Sequence, residues 1–122
     1  MTDRQVAAGE ALAADRASTL ERIAALTREF EGIVESAALG ATDDEHDPEG
    51  ATIAFERAQI MSLLEQARDH LADLDQAIRR IEAGTYGRCE ECGLPITAQR
   101  LAARPAARTC IGCAARPGRP SG

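Results

Sequence analysis

All four cysteines of the 122-residue chain fall in two Cys-x-x-Cys pairs, Cys89/Cys92 and Cys110/Cys113, with 17 residues between the pairs. A two-residue gap lets both thiolates of a pair turn toward one point, so two such knuckles supply the corners of a tetrahedron. Zn2+ favours four thiolates in that geometry, and the spacing falls within the range of four-cysteine zinc sites. Four protein ligands leave no open position for water. The expected ion is therefore one structural zinc rather than a catalytic one. Two other uses of the same thiols stay open, a pair of disulfides or a redox-active dithiol. Nothing near the N-terminus resembles a secretory signal, so a reducing, cytoplasmic setting is expected and disulfides are disfavoured. A redox Cys-x-x-Cys belongs in a strand–helix–strand setting, which this sequence lacks.

The elements that must carry this centre lie before it. Residues 1–9 read as a polar, flexible lead-in. From about Glu10 to Leu39, Leu12, Arg16, Thr19, Ile23, Leu26, Phe30, Ile33 and Ala37 alternate steps of four and three, the spacing of a coiled-coil seam. Gly40 supplies a stop. Residues 40–50 break the period, and Asp47-Pro48 then signals a new helix start, with Asp as cap and Pro in the first helical position. A second helix, about Pro48 to Ala83, carries Ile53, Arg57, Ile60, Leu64, Ala67, Leu71, Leu74, Ile78 and Ile81 in the same alternation. Two seams joined by a short turn predict an antiparallel two-helix coiled-coil hairpin over 10–83, about 42 Å long from Ile53 to Ile81 at 1.5 Å per residue. The competing arrangement is a coiled coil between chains; the short connection favours self-pairing and a monomer. Arg57, near the end of the seam, is expected to reach solvent or a nearby carboxylate.

The cysteine pairs make a small zinc-finger module of residues 84–114, and 115–122 read as a disordered Pro/Gly tail. Tyr86, Leu94, Ile96 and Leu101, with Ile111, are the large apolar residues nearest the metal and are expected to form its miniature core. The fold class is thus mainly α, a long hairpin followed by a four-cysteine module.

Composition agrees with this plan. The chain has 25 alanines but two Phe, one Tyr and no Trp, too few large side chains for a thick globular core. No apolar run nears the roughly 18 residues needed to span a membrane. Residues 1–83 hold 18 acidic and eight basic side chains, whereas 84–122 hold six Arg and two acids. So acidic a body argues against a protein that coats nucleic acid unaided.

The run Ile81-Glu-Ala-Gly-Thr-Tyr-Gly-Arg-Cys-Glu-Glu-Cys-Gly-Leu-Pro-Ile96, continuing through Arg100-Leu101 and Arg104-Pro105 to Cys110 and Cys113, resembles the DksA/TraR family of four-cysteine zinc-finger proteins. The match covers the second helix and the finger, about half the chain. The resemblance implies a hairpin that enters the secondary channel of bacterial RNA polymerase with an acidic tip near the catalytic centre. It implies modulation of transcription initiation without catalysis. In the DksA branch the tip reads Asp-Pro-x-Asp-x-Ala. Asp47 and Pro48 match it, but Gly50 and Thr52 stand at the second Asp and the Ala. The His46-to-Thr52 stretch is closer to the shorter DksA-like proteins of Gram-positive bacteria. The branch's ppGpp-binding helix after the finger has no counterpart in the Pro/Gly tail, so that site is not carried over.

The expected partner-binding residues are Asp43, Asp44, Glu45, Asp47 and Glu49, five carboxylates within seven residues. Delivered near a polymerase's Mg2+ or basic groups, they would perturb the local field; the bland alternative is a solvated turn. His46 reads as a solvated loop residue, and Glu90 and Glu91 as non-ligands. Two other function classes remain. One is a zinc ribbon that binds nucleic acid through Arg88, Arg100, Arg104 and Arg108, though aromatic platforms are scarce and sequence-specific DNA binding is not expected. The other is a structural adaptor dimerising through its seams. No nucleophile–base pairing or open metal position points to an enzyme.

Overall fold

The computed structural model describes residues 2–39 and 48–116. Its long elements are α1 (Asp3–Leu39) and α2 (Pro48–Ala83), followed by the short helices α3 (Ala98–Ala103) and α4 (Ile111–Ala114). The only β-type pairing among the described residues is one isolated bridge between Arg88 and Pro95. No described helix is long and apolar enough to cross a membrane.

The heptad reading identifies the packed face. All eight seam positions of α1 are buried or half-buried, and so are eight of the nine on α2, Arg57 being the exception. The chain divides into two compact units, residues 1–17 with 72–122, and residues 18–71. In the second unit, Leu26 packs with Ile60 and Leu64, flanked by Ile23, Phe30, Ile33 and Leu63. Thr19 is buried as a polar seam residue. Arg57 is exposed, as expected, and makes one contact that its spacing did not signal. Its guanidinium lies 5.8 Å from the centre of the Phe30 ring, a cation–π contact of about 0.5–1 kcal/mol at an exposed site.

In the first unit the helix pair and the cysteine module share one core. Leu12, Leu74 and Ala77 are each at most 1% exposed, and Ile78, Ile81, Tyr86 and Ala106 pack on them. Burying each leucine contributes about 1.5–3 kcal/mol. Arg16, a polar seam position, is satisfied by Asp75 at 2.6 Å. Tyr86 and Ala106, both from residues 84–114, pack against the helix ends within this unit.

The expected lead-in over residues 1–9 is corrected, because α1 starts at Asp3 rather than near Glu10. Thr2 and Gln5 form a reciprocal cap, the Gln5 amide donating to Thr2 Oγ1 at 3.2 Å and the Thr2 amide to Gln5 Oε1 at 3.1 Å. This capping box satisfies two otherwise unpaired donors. The seam also continues upstream through half-buried Gln5, Ala8 and Gly9.

At its other end α2 stops as Gly84 predicts. Gly84 takes φ +78°, its amide donates to Ile81 O, and the Thr85 amide donates to Arg80 O at 2.9 Å. These two bonds are a Schellman cap, which requires the left-handed conformation that glycine adopts without strain. We expect Leu74→Ala to destabilise the protein by about 2–5 kcal/mol. Phe55→Ala, at a side chain 71% exposed, should stay within about 0.5 kcal/mol of the parent. Urea unfolding followed by circular dichroism checks both.

Candidate metal centre

The first knuckle is built by backbone geometry around Cys89 and Cys92. The Cys89 amide donates to Leu94 O at 2.9 Å and the Gly93 amide returns to Cys89 O at 3.0 Å. Closing so tight a loop puts Gly93 at φ +75°, where a side chain would be strained. The Arg88 to Pro95 bridge and an Ile96 amide bond to Gly87 O at 2.7 Å hold its base.

The second knuckle is a helix start. Cys110 is the N-cap of α4, its Sγ accepting from the Cys113 amide at 3.4 Å while its carbonyl accepts from Ala114 at 2.9 Å. A capping sulfur and the first-turn sulfur three residues later thus share one end of the helix.

Between the knuckles, Thr97 caps α3 by accepting from the Arg100 amide. Arg100 Nε donates to Thr109 O at 2.8 Å, and the Glu90 amide donates to Arg108 O at 2.9 Å. Tyr86 Oη donates to Pro105 O at 2.8 Å. These bonds carry Cys110 and Cys113 back across 17 residues of intervening chain to Cys89 and Cys92.

The four Sγ atoms all lie within 4.8 Å of one another, with Cys92 and Cys110 at 3.9 Å. A tetrahedron of Zn–S bonds of about 2.3 Å has edges of about 3.8 Å, so the donor set fits one zinc ion. All four cysteines are free thiols, and they converge as one group rather than as two bonded pairs. Cys89 and Cys113 are buried, Cys110 is half-buried and Cys92 is exposed.

The thiols are electrostatically unequal. The Cys92 backbone amide, with further help from Cys110, brings the Cys89 thiol down to about 6. Cys113, hydrogen-bonded to the Cys110 and Cys89 side chains and shielded from water, is pushed up to about 12. Crowded sulfurs resist a full set of negative charges. Ligation through Cys113 accordingly requires loss of a proton that the bare cluster retains, and a bound cation supplies the compensating charge.

The miniature core differs from expectation. Ile96 and Leu101 do pack on Cys89, Cys113 and Cys110. Leu94 and Ile111, however, are 64% and 61% exposed, because the knuckle turn and the first helical position point them outward. Tyr86 belongs to the Leu12–Leu74–Ala77 cluster.

Three of the four arginines weighed for nucleic acid have contacts within the protein. Arg100 holds Thr109, Arg88 donates to Gly93 O at 3.2 Å, and Arg108 donates to Gln76 Oε1 at 3.3 Å. Glu90, expected to be a solvated non-ligand, pairs with Arg80 at 3.4 Å. Sequence reading missed that contact, since a glutamate inside a knuckle carries no pattern of its own. Asp43, Asp44, Glu45, His46 and Asp47 lie outside the described residues. Glu49 falls in the first turn of α2, and the tail residues 117–122 also lie outside.

Residues 84–117 match the family described as the prokaryotic dksA/traR C4-type zinc finger. The RNA polymerase-binding transcription factor DksA of Caulobacter vibrioides is 41% identical over 61 residues, 50% of this chain and 43% of that protein. General stress protein 16O of Bacillus subtilis is 32% identical over 68 residues, 56% of this chain and 42% of that protein. The chain thus spans less than half the length of these curated relatives. Among solved structures, transcription factor DksA2 from Pseudomonas aeruginosa superposes with a TM-score of 0.76 at 27% identity. That match covers 90% of this chain and 79% of that one.

Replacing Cys110 by Ser should release the metal and unfold residues 84–116, since two apolar side chains cannot hold the module alone. Zinc stoichiometry and amide exchange on the purified variant read this directly. A variant keeping full metal would remove Cys110 from the ligand set.

Proposed function

The chain carries a zinc finger of the DksA/TraR family, and on that footing we propose that it is a non-catalytic regulator that binds bacterial RNA polymerase. The supporting observation is the breadth of the structural match: 90% of the chain, helix pair included, aligns with a DksA-type transcription factor. A finger on its own would be compatible with many partners. A finger at the ends of two long paired helices is a narrower architecture.

In this reading Cys89, Cys92, Cys110 and Cys113 ligate one structural zinc, and the protein works as a cytoplasmic monomer. The helix pair of residues 18–71, about 20 Å across by twice the helix diameter, enters the secondary channel. The connection between α1 and α2 delivers Asp43, Asp44, Glu45, Asp47 and Glu49 toward the polymerase's Mg2+ and basic groups. Initiation changes because those carboxylates alter the field around the catalytic centre. The half-buried placement and internal hydrogen bonds of Arg100 and Arg108 favour this over a nucleic-acid ribbon. The pairing of α1 with α2 in one chain favours it over an adaptor that needs its seams for a second copy.

Co-purification with RNA polymerase should be abolished by a competitor occupying the secondary channel. Asp47→Asn should leave zinc content and helicity unchanged while altering promoter-complex lifetime in a purified transcription assay. Unchanged lifetimes would exclude a working tip, and competitor-resistant binding would exclude the channel.

A further inference from the structure

We propose that Arg80 is a positioning residue of the metal centre, gripping the first knuckle through Glu90 so that metal occupancy and the docking of the last turns of α2 depend on each other. The side chain of Arg80 is only 13% exposed, deep for a guanidinium. Its Nη1 lies 3.4 Å from Oε1 of Glu90, the residue directly after Cys89. The amide of that same Glu90 donates to Arg108 O, and Arg108 Nη1 donates to Gln76 Oε1 at 3.3 Å. Gln76 and Arg80 stand one turn apart on α2. Together they hold the segment between Cys89 and Cys92 by its side chain and, through Arg108, by its backbone.

Electrostatics gives this arrangement a purpose. Four thiolates around one Zn2+ leave a net charge of −2, which a cation beside the first knuckle offsets. Glu90 is the anchor that holds the Arg80 guanidinium there, so the loss of either partner takes that positive charge away from the ligands. Stability alone is a poor reason for Arg80. Burial lowers its pKa against the raising influence of Glu90, and its Nη2 is buried without a hydrogen-bond partner among the described residues. An apolar side chain of similar volume would stabilise the same position as well or better. Nor is the side chain needed to end α2, which the backbone bonds of Gly84 and Thr85 already accomplish. What the guanidinium adds is the link to the knuckle.

The inference rests on ligation by the four thiols but not on the polymerase reading. Zinc affinity of the full chain is measured by competition with a chromophoric chelator for Arg80→Met, Arg80→Lys, Glu90→Gln and the Met/Gln double variant. Arg80→Met should lower affinity tenfold or more, with one zinc still bound at saturation and the Co2+-substituted spectrum still that of a tetrahedral four-thiolate site. Arg80→Lys should recover part of the loss. Glu90→Gln should fall comparably, and the double variant no further. Zinc-loaded Arg80→Met should also exchange amides faster over residues 72–83 than the parent. Affinities within twofold of the parent for both single variants would overturn the proposal. So would a double variant whose loss equals the product of the two singles, since Arg80 would then act by a route other than Glu90. If Arg80→Met does not fold, Glu90→Gln decides the matter alone.

Discussion

Four sulfur atoms within 4.8 Å of one another are an unfavourable cluster without a cation, and the structure of residues 84–116 is arranged around that fact. Each thiolate added to the group raises the cost of the next, and the hydrogen bonds within the cluster are unequal: the Cys92 backbone amide lowers the Cys89 thiol, whereas contacts with the Cys110 and Cys89 side chains raise Cys113. A divalent ion converts this repulsion into the main cohesive force of a segment whose own apolar core is Ile96 and Leu101. The glycine turn, the helix caps and the arginine-to-carbonyl bonds fix where the sulfurs point. They do not supply enough buried area to keep them there.

The helix ends depend on the same centre. Leu12, Leu74 and Ala77 are covered by Ile78 and Ile81 of α2 and by Tyr86 and Ala106, and the last two belong to the metal-dependent segment. Residues 18–71, in contrast, have their own cluster of Leu26, Ile60 and Leu64, with no cysteine in it. The two units thus differ in what stabilises them, side-chain packing in one and packing shared with a coordinated ion in the other.

Much of this was legible in the sequence because periodicity and spacing are direct images of geometry. The alternating steps of four and three picked out the buried face of both helices, and α2 occupies Pro48–Ala83 as Pro48 and Gly84 predict. The cysteine spacing foretold the cluster. Features that depend on local chemistry rather than on large apolar residues were harder to read. The start of α1 is hard to read because Gln5, Ala8 and Gly9 look like no seam, although Thr2-Asp3-Arg4-Gln5 holds a capping signature. Size alone points Leu94 and Ile111 inward, whereas turn geometry sends them out. The Arg57–Phe30 and Arg80–Glu90 contacts join residues whose proximity only the folded backbone creates.

The composition of the first compact unit also has a consequence for the order of assembly. It unites the opening 17 residues with those from Ala72 onward, and Arg16 meets Asp75 across 59 positions of chain. During synthesis the segment 18–71 can close on itself through its short connection while the cysteines are still unmade. Residues 3–17 of α1 complete their packing only after Leu74, Ala77, Tyr86 and Ala106 have been made. Until then Leu12 lacks part of its cover, and the nascent chain shows the translation machinery and its chaperones an apolar side chain that the folded protein conceals.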